Sequence, residues 1–161
     1  MRIAQPEYAL LIAAALVFIH PHSAQQQATI APQSPSSMTS QQSRDTTRTV
    51  IDRFNDAFNR HDADALAPLL TDDTVFEDTS PAPDGNRIQG KAAVVAFWRS
   101  WFARNPDANF QAEDVIVSGD RATVLWVYRK LRNGQPWHLR GVDVFTVRDG
   151  KVAAKLAYVK G

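Results

Sequence analysis

The chain has 161 residues, which suits one domain of ordinary size and not two. Lys plus Arg number 18 and Asp plus Glu 17, a formal charge of +1, so the basic surplus that nucleic-acid binding draws on is missing. There is no cysteine, which excludes disulfides, thiolate metal sites, iron–sulfur clusters and a cysteine nucleophile.

Residues 1–24 read as an export signal. Arg2 gives a weak positive start, and Ala9 to Ile19 (ALLIAAALVFI) is an unbroken apolar run. That run is shorter than the roughly 18–20 residues a helix needs to cross a bilayer and fits the core of a signal peptide. Pro21 breaks it, and Ser23-Ala24 offers a small-residue cleavage site; the other reading is an uncleaved interfacial helix. Export would put the protein in the periplasm or outside the cell, with no stable membrane span after cleavage. Residues 25–43 (QQQATIAPQSPSSMTSQQS) carry no apolar period. Such a stretch buries too little surface to offset its ordering entropy, so it is expected to be a disordered tether. The folded domain is then 44–161. His20 and His22 leave with the signal and only His61 and His138 remain, so a multi-histidine metal site is not expected.

Within the domain, Val50, Ile51, Phe54, Ala57 and Phe58 recur at three- and four-residue spacing and predict an amphipathic helix over 45–60. Asp62 can cap a second, short helix carrying Leu66, Leu69 and Leu70. Residues 74–78 alternate like a short strand and run into a Pro- and Gly-rich loop. A third helix follows Gly90, with an apolar stripe of Val94, Phe97, Trp98, Trp101 and Phe102 that stops at Asn105-Pro106. The period then changes to two: 109–118, 121–132, 136–148 and 151–160 are strand-like, joined by the hairpin signals Ser118-Gly119-Asp120, Asn133-Gly134 and Asp149-Gly150. Helices first and an antiparallel meander last make an α+β fold, with a curved sheet wrapped on three N-terminal helices.

Two carboxylates stand out. In 136–148 one parity holds Leu139, Gly141, Asp143, Phe145 and Val147, so Asp143 is expected on the core side. Asp78 shares its parity with Phe76. A carboxylate in an apolar cavity ionises at a cost, and two facing one cavity repel if both are charged. One can then stay protonated as a hydrogen-bond donor while the other acts as base, which suits proton abstraction next to a carbonyl. Plainer readings stand beside this. Asp78 can satisfy turn amides; Asp143 can bond backbone or point outward; the Trp98 stripe can be simple core. Trp126 and Tyr128 fit a pocket wall or a dimer surface. His138, Arg140, Lys155 and Lys160 read as surface positions, and His61 as a helix-junction residue.

Three stretches carry a family resemblance: Leu69 to Asp78 (LLTDDTVFED), Gly90 to Val94 with Phe97-Trp98, and Arg140 to Phe145 with Asp149 to Val152. They resemble the nuclear-transport-factor-two-like cone fold, and within it the SnoaL-like and ketosteroid-isomerase-like group. The resemblance implies Asp78 as a proton-shuttling base and Asp143 as a protonated acid in an oxyanion hole. It also implies Asp143 as the single acid/base of a polyketide cyclase. The first-helix tyrosine of the isomerases falls on Phe54, which has no hydroxyl; losing one such donor costs about 10²–10³ in rate. Tyr128 or Tyr158 would have to supply it. Epoxide hydrolases of this group use an Asp–Arg–Asp set, but 152–160 holds no acid. The expected activity is cofactor-free isomerase, cyclase or lyase chemistry on a small apolar molecule. Phe54, Phe58, Trp98, Trp126, Tyr128 and Phe145 are expected to line its pocket, in a chain expected to form a homodimer. The alternatives are a non-catalytic small-molecule-binding domain and a dimeric interaction domain.

Overall fold

A computed structural model of the chain describes residues 35–160. The expected export signal at 1–24 and the tether up to residue 34 lie outside them. Helix α1 spans Pro35–Asn59, so it begins ten residues before the expected start at 45. Residues 35–43, expected to be disordered, are helical. Their composition shows no apolar period, and residues 39–42 are exposed, so burial of an apolar stripe is not what makes this stretch helical. Pro35 suits a first helical position, and no further Pro or Gly interrupts the run. Once the buried half is formed, each added residue costs little. The packed half buries Thr47, Val50, Ile51, Phe54 and Ala57, which is the face the spacing predicts.

Asp62 ends the junction after α1 and caps α2 (Ala63–Leu66), accepting from the Ala65 amide at 2.8 Å. A short 3₁₀ turn (Ala67–Leu69) leads into β1 (Leu70–Glu77). His61 sits at the junction with φ 55° and its Nε2 2.9 Å from the Ala108 carbonyl oxygen, as a junction residue should. After a loop comes the short β2 (Arg87–Gln89), a strand of three residues too brief to show an alternating period, and then α3 (Lys91–Arg104). The buried face of α3 is Val94, Val95, Trp98 and Phe102.

The last part of the domain is the expected meander: β3 (Asn109–Ser118), β4 (Arg121–Arg132), β5 (Gln135–Arg148) and β6 (Lys151–Val159). Asn133-Gly134 and Asp149-Gly150 both take positive φ at each turn residue, which matches the right-handed twist of the flanking strands. The six strands form one open sheet in the order β2-β1-β6-β5-β4-β3. All pairings are antiparallel except β1 with β6, which is parallel. Register shifts interrupt β1–β6, β3–β4 and β5–β6; such bulges bend and twist strands. The core of aromatic and aliphatic side chains fills the space between the helices and one face of this sheet. Among the described residues no helix is long and apolar enough to cross a membrane.

Candidate functional site

A cavity of about 190 Å³ lies within this core. Helices α1 and α3 give it Phe58, Phe97, Trp98 and Trp101; β4 gives Trp126, Tyr128 and Lys130. Strands β5 and β6 contribute Asp143 and Lys155, and the first residue after β1 contributes Asp78. The two carboxylates singled out in the sequence therefore border one cavity, and so do Phe58, Trp98, Trp126 and Tyr128. Phe54 and Phe145 do not. Phe54 borders a separate gap of about 20 Å³ that also touches Asp143 and Lys155. Phe145 is fully buried against Phe54, with ring centroids 5.4 Å apart. Both face the core, as their periodicity says, but periodicity does not encode depth.

Asp143 sits where its parity puts it, between Val124 of β4 and Ala157 of β6. Only 4% of its surface is exposed. Its partner is Lys155, whose Nζ lies 2.8 Å from Asp143 Oδ2. Lys155, expected to be solvated, is instead buried, and the physical reason is a bulge. Val147 pairs with Val152, but the next β5 residue, Thr146, pairs with Ala154. The extra residue, Ala153, flips the parity of β6, so Val152 and Lys155 both turn inward. The Lys155 ammonium also lies 5.1 Å from the Phe76 ring centroid and 5.7 Å from that of Phe145.

The second carboxylate is engaged differently. Asp78 is half-buried, and its Oδ1 accepts from the backbone amides of Ser80 at 3.0 Å and Asn86 at 2.8 Å. Gly85 makes the close approach possible: its φ is +73°, and a Cβ there would stand 2.0 Å from the Asp78 carbonyl oxygen. The turn-satisfying reading of Asp78 thus holds for one oxygen, while the residue still borders the cavity. The neighbouring acids are structural. Asp72 is held below the usual carboxylate range by a hydrogen bond and charge from Lys91, at 2.6 Å, which fastens β1 to the start of α3. Asp73 pairs with Arg148 of β5.

Several residues around the cavity carry a buried polar atom without a partner among the described residues: Trp98 Nε1, Trp126 Nε1, Tyr128 Oη and Asp143 Oδ1. A buried polar atom left unpaired costs about 1–3 kcal/mol and needs a reason. Three donors and one acceptor in residues around one cavity are the complement of a ligand bearing oxygen atoms. Burial, with a smaller contribution from the charge of Asp107, pushes the Tyr128 phenol up to about 12. It is therefore a neutral donor at ordinary pH. Tyr158, the other tyrosine considered as a hydroxyl source, is 52% exposed and borders no part of the cavity. His138 and Arg140 are exposed, and Arg140 pairs with Glu113. Among the described residues no three His, Asp or Glu side chains gather as a metal site would require. The sequence reading missed both charged amines of the site, Lys155 and Lys130, whose Nζ donates to Asn105 Oδ1 at 3.1 Å, as well as lining rings such as Phe97, Trp101 and Phe110. The bulge had no sequence signal.

Residues 51–155 match the SnoaL-like domain family. Among solved structures, a nuclear-transport-factor-two-like protein of unknown function from Mesorhizobium loti is 39% identical, with a TM-score of 0.66. That match covers 73% of this chain and 93% of that one. A candidate polyketide cyclase from Sinorhizobium meliloti is 25% identical, with a TM-score of 0.57, over 68% of this chain and 94% of its own. A candidate ketosteroid isomerase from Kribbella flavida shares the fold at 21% identity and a TM-score of 0.61, over 73% and 80% of the two chains. No curated protein matches.

Proposed function

This chain belongs to the SnoaL-like domain family, and on that premise we propose that it moves a proton next to a carbonyl group of a small, largely apolar molecule. The observation that carries the reading is the enclosed Asp143–Lys155 pair at the wall of a ring-lined cavity, with Asp143 Oδ1 unpartnered. Asp143 serves as the proton carrier. Held against an ammonium, it fits an accepting carboxylate better than the neutral acid that the isomerase resemblance implies, and it fits the single acid/base of a cyclase. Lys155 supplies positive charge where an enolate oxygen would develop, and in a dry site that charge is poorly screened. The Tyr128 hydroxyl and the indole N–H groups of Trp98 and Trp126 orient the ligand's oxygens. Asp78 holds the loop at the cavity's edge and is secondary to the chemistry.

Deuterium incorporation from heavy water into the acidic C–H of a cyclic β-diketone reads the step directly. The wild-type protein should accelerate it, and Asp143→Asn should lower the rate by about 10²–10⁴. Asp78→Asn should have a much smaller effect. Unchanged exchange in Asp143→Asn removes the proton-transfer reading. Ligand-induced stabilisation without any exchange would favour a second reading, binding without chemistry, which the mutual neutralisation of Asp143 and Lys155 also suits. The apolar run at Ala9–Ile19 supports export as a further proposal; expression of the full chain with fractionation should find a shortened product outside the cytoplasm, and a full-length cytoplasmic product would refute it.

A further inference from the structure

We infer that Lys155 is an amine nucleophile that captures a small ketone or β-diketone as an iminium inside the cavity. The inference rests on the carbonyl chemistry proposed above and assigns Lys155 a covalent part in it. Three observations lead there. First, a buried ion pair adds little stability, because desolvating both ions costs about as much as their attraction returns; something other than stability accounts for an enclosed lysine and aspartate. Second, the side chain is re-aimed by an inserted residue. Without the bulge at Ala153, strict alternation from Val152 would turn Ala154 inward and leave Lys155 in solvent. Third, the surroundings suit an amine that must lose and regain protons. Asp143 Oδ2 is 2.8 Å from Nζ, Oδ1 has no competing partner, and the rings of Phe76 and Phe145 flank the ammonium. A lysine in an apolar pocket with a base beside it is the arrangement that amine catalysis requires.

The step balances within these groups. The ammonium passes a proton to Asp143, and the freed lone pair forms an N–C bond to the carbonyl carbon while the C=O π pair moves to oxygen. Asp143 returns its proton to that oxygen and takes one from nitrogen, leaving a neutral carbinolamine. It then protonates the departing hydroxyl as the nitrogen lone pair forms the C=N bond. One ketone and one ammonium have become one iminium and one water, and Asp143 is again a carboxylate. It is then placed to remove the adjacent C–H proton, now acidified by the iminium.

Acetylacetone is the probe, because its iminium loses a proton to give a stable conjugated enaminone with near-ultraviolet absorbance. The wild-type protein should gain the mass of one acetylacetone less one water, and peptide mapping should place it on Lys155. The adduct should form at least about tenfold faster than on exposed lysines, because the capture is intramolecular once the probe is bound. Lys155→Arg should lose it, and Asp143→Asn should slow it at least about tenfold. Mapping of the wild-type protein decides the matter even if a variant fails to fold. No adduct, an adduct shared evenly among lysines, or one on Lys130 overturns the inference. Diketone deuteration that persists in Lys155→Arg also overturns it while leaving the proton-transfer reading intact. An adduct on Lys155 without C–H exchange would do the reverse.

Discussion

The two acid-bearing sides of the cavity use the same residue type to opposite ends. On the β5–β6 wall, Asp143 lies in mid-strand, where backbone N–H groups are engaged in the sheet ladders. No amide is left for its carboxylate, so the partner must be a side chain, and Lys155 fills that place. At the mouth, Asp78 follows the last residue of β1, where the chain leaves the ladder and loop amides need acceptors. Two of them, from Ser80 and Asn86, converge on its Oδ1. The lesson is about backbone supply: inside a sheet an acid is forced into side-chain chemistry, and at a strand end it is absorbed by the chain itself. Sharing a cavity does not make two carboxylates equivalent.

The largest test of that contrast is to strip the enclosed side of one charge. Asp143→Ala should lower unfolding free energy by about 3–5 kcal/mol, because Lys155 is left as an unpaired buried cation. Combining Asp143→Leu with Lys155→Met should restore most of that loss or exceed the wild-type value, since apolar groups of similar volume fit the same space. Urea unfolding of the single and double variants measures both. A single variant within about 0.5 kcal/mol of wild type would mean that water reaches the pair, and the contrast between wall and mouth would fail.

At the mouth the effect should be smaller and local. Asp78→Ala removes the acceptor for two amides and should cost about 1–3 kcal/mol. Its signature is faster hydrogen exchange at Ser80 and Asn86 with protection in β5 unchanged, because local openings need not spread. Loss of protection throughout the sheet would show instead that the loop helps hold the domain together.

The same contrast explains what the sequence disclosed. The inward parity of Asp143, the Asp62 cap and the Asn133-Gly134 and Asp149-Gly150 hairpins rest on local chemistry, and local chemistry is written in adjacent residues. The parallel pairing of β1 with β6 depends on chain segments about eighty positions apart and leaves no mark in either. Lys155 was hidden because one inserted residue inverts a period-two pattern, and Val152-Ala153-Ala154 carries nothing to announce it. Phe54 and Phe145 face the core, as their periodicity says, but Phe54 lines only the small gap beside Asp143 and Lys155 and Phe145 borders neither space, because distance from an empty space is a property of the packed whole. The helical start of α1 escaped for another reason: an exposed extension of a packed helix needs no apolar period at all.

The finest test lies between the two sides, at Tyr128. Its hydroxyl is buried without a partner, so Tyr128→Phe removes an unsatisfied group and should raise the stability of the ligand-free protein by up to about 1 kcal/mol. The same change should weaken any oxygen-bearing ligand. The alkaline limb of stability gives an independent reading. Burial pushes this phenol from 10.0 up to about 12, so between those values the folded protein keeps a proton that the unfolded chain has released. Folding then takes up a proton, and stability must fall as pH rises through that window. Thermal denaturation from pH 9 upward, about a unit below the ordinary phenol value, should show this decline in wild type and a shallower one in Tyr128→Phe. Equal slopes would mean that Tyr128 already meets water in the empty cavity. The unpaired donors along the wall would then be solvated at rest, and a ligand would have to displace that water rather than fill a dry space.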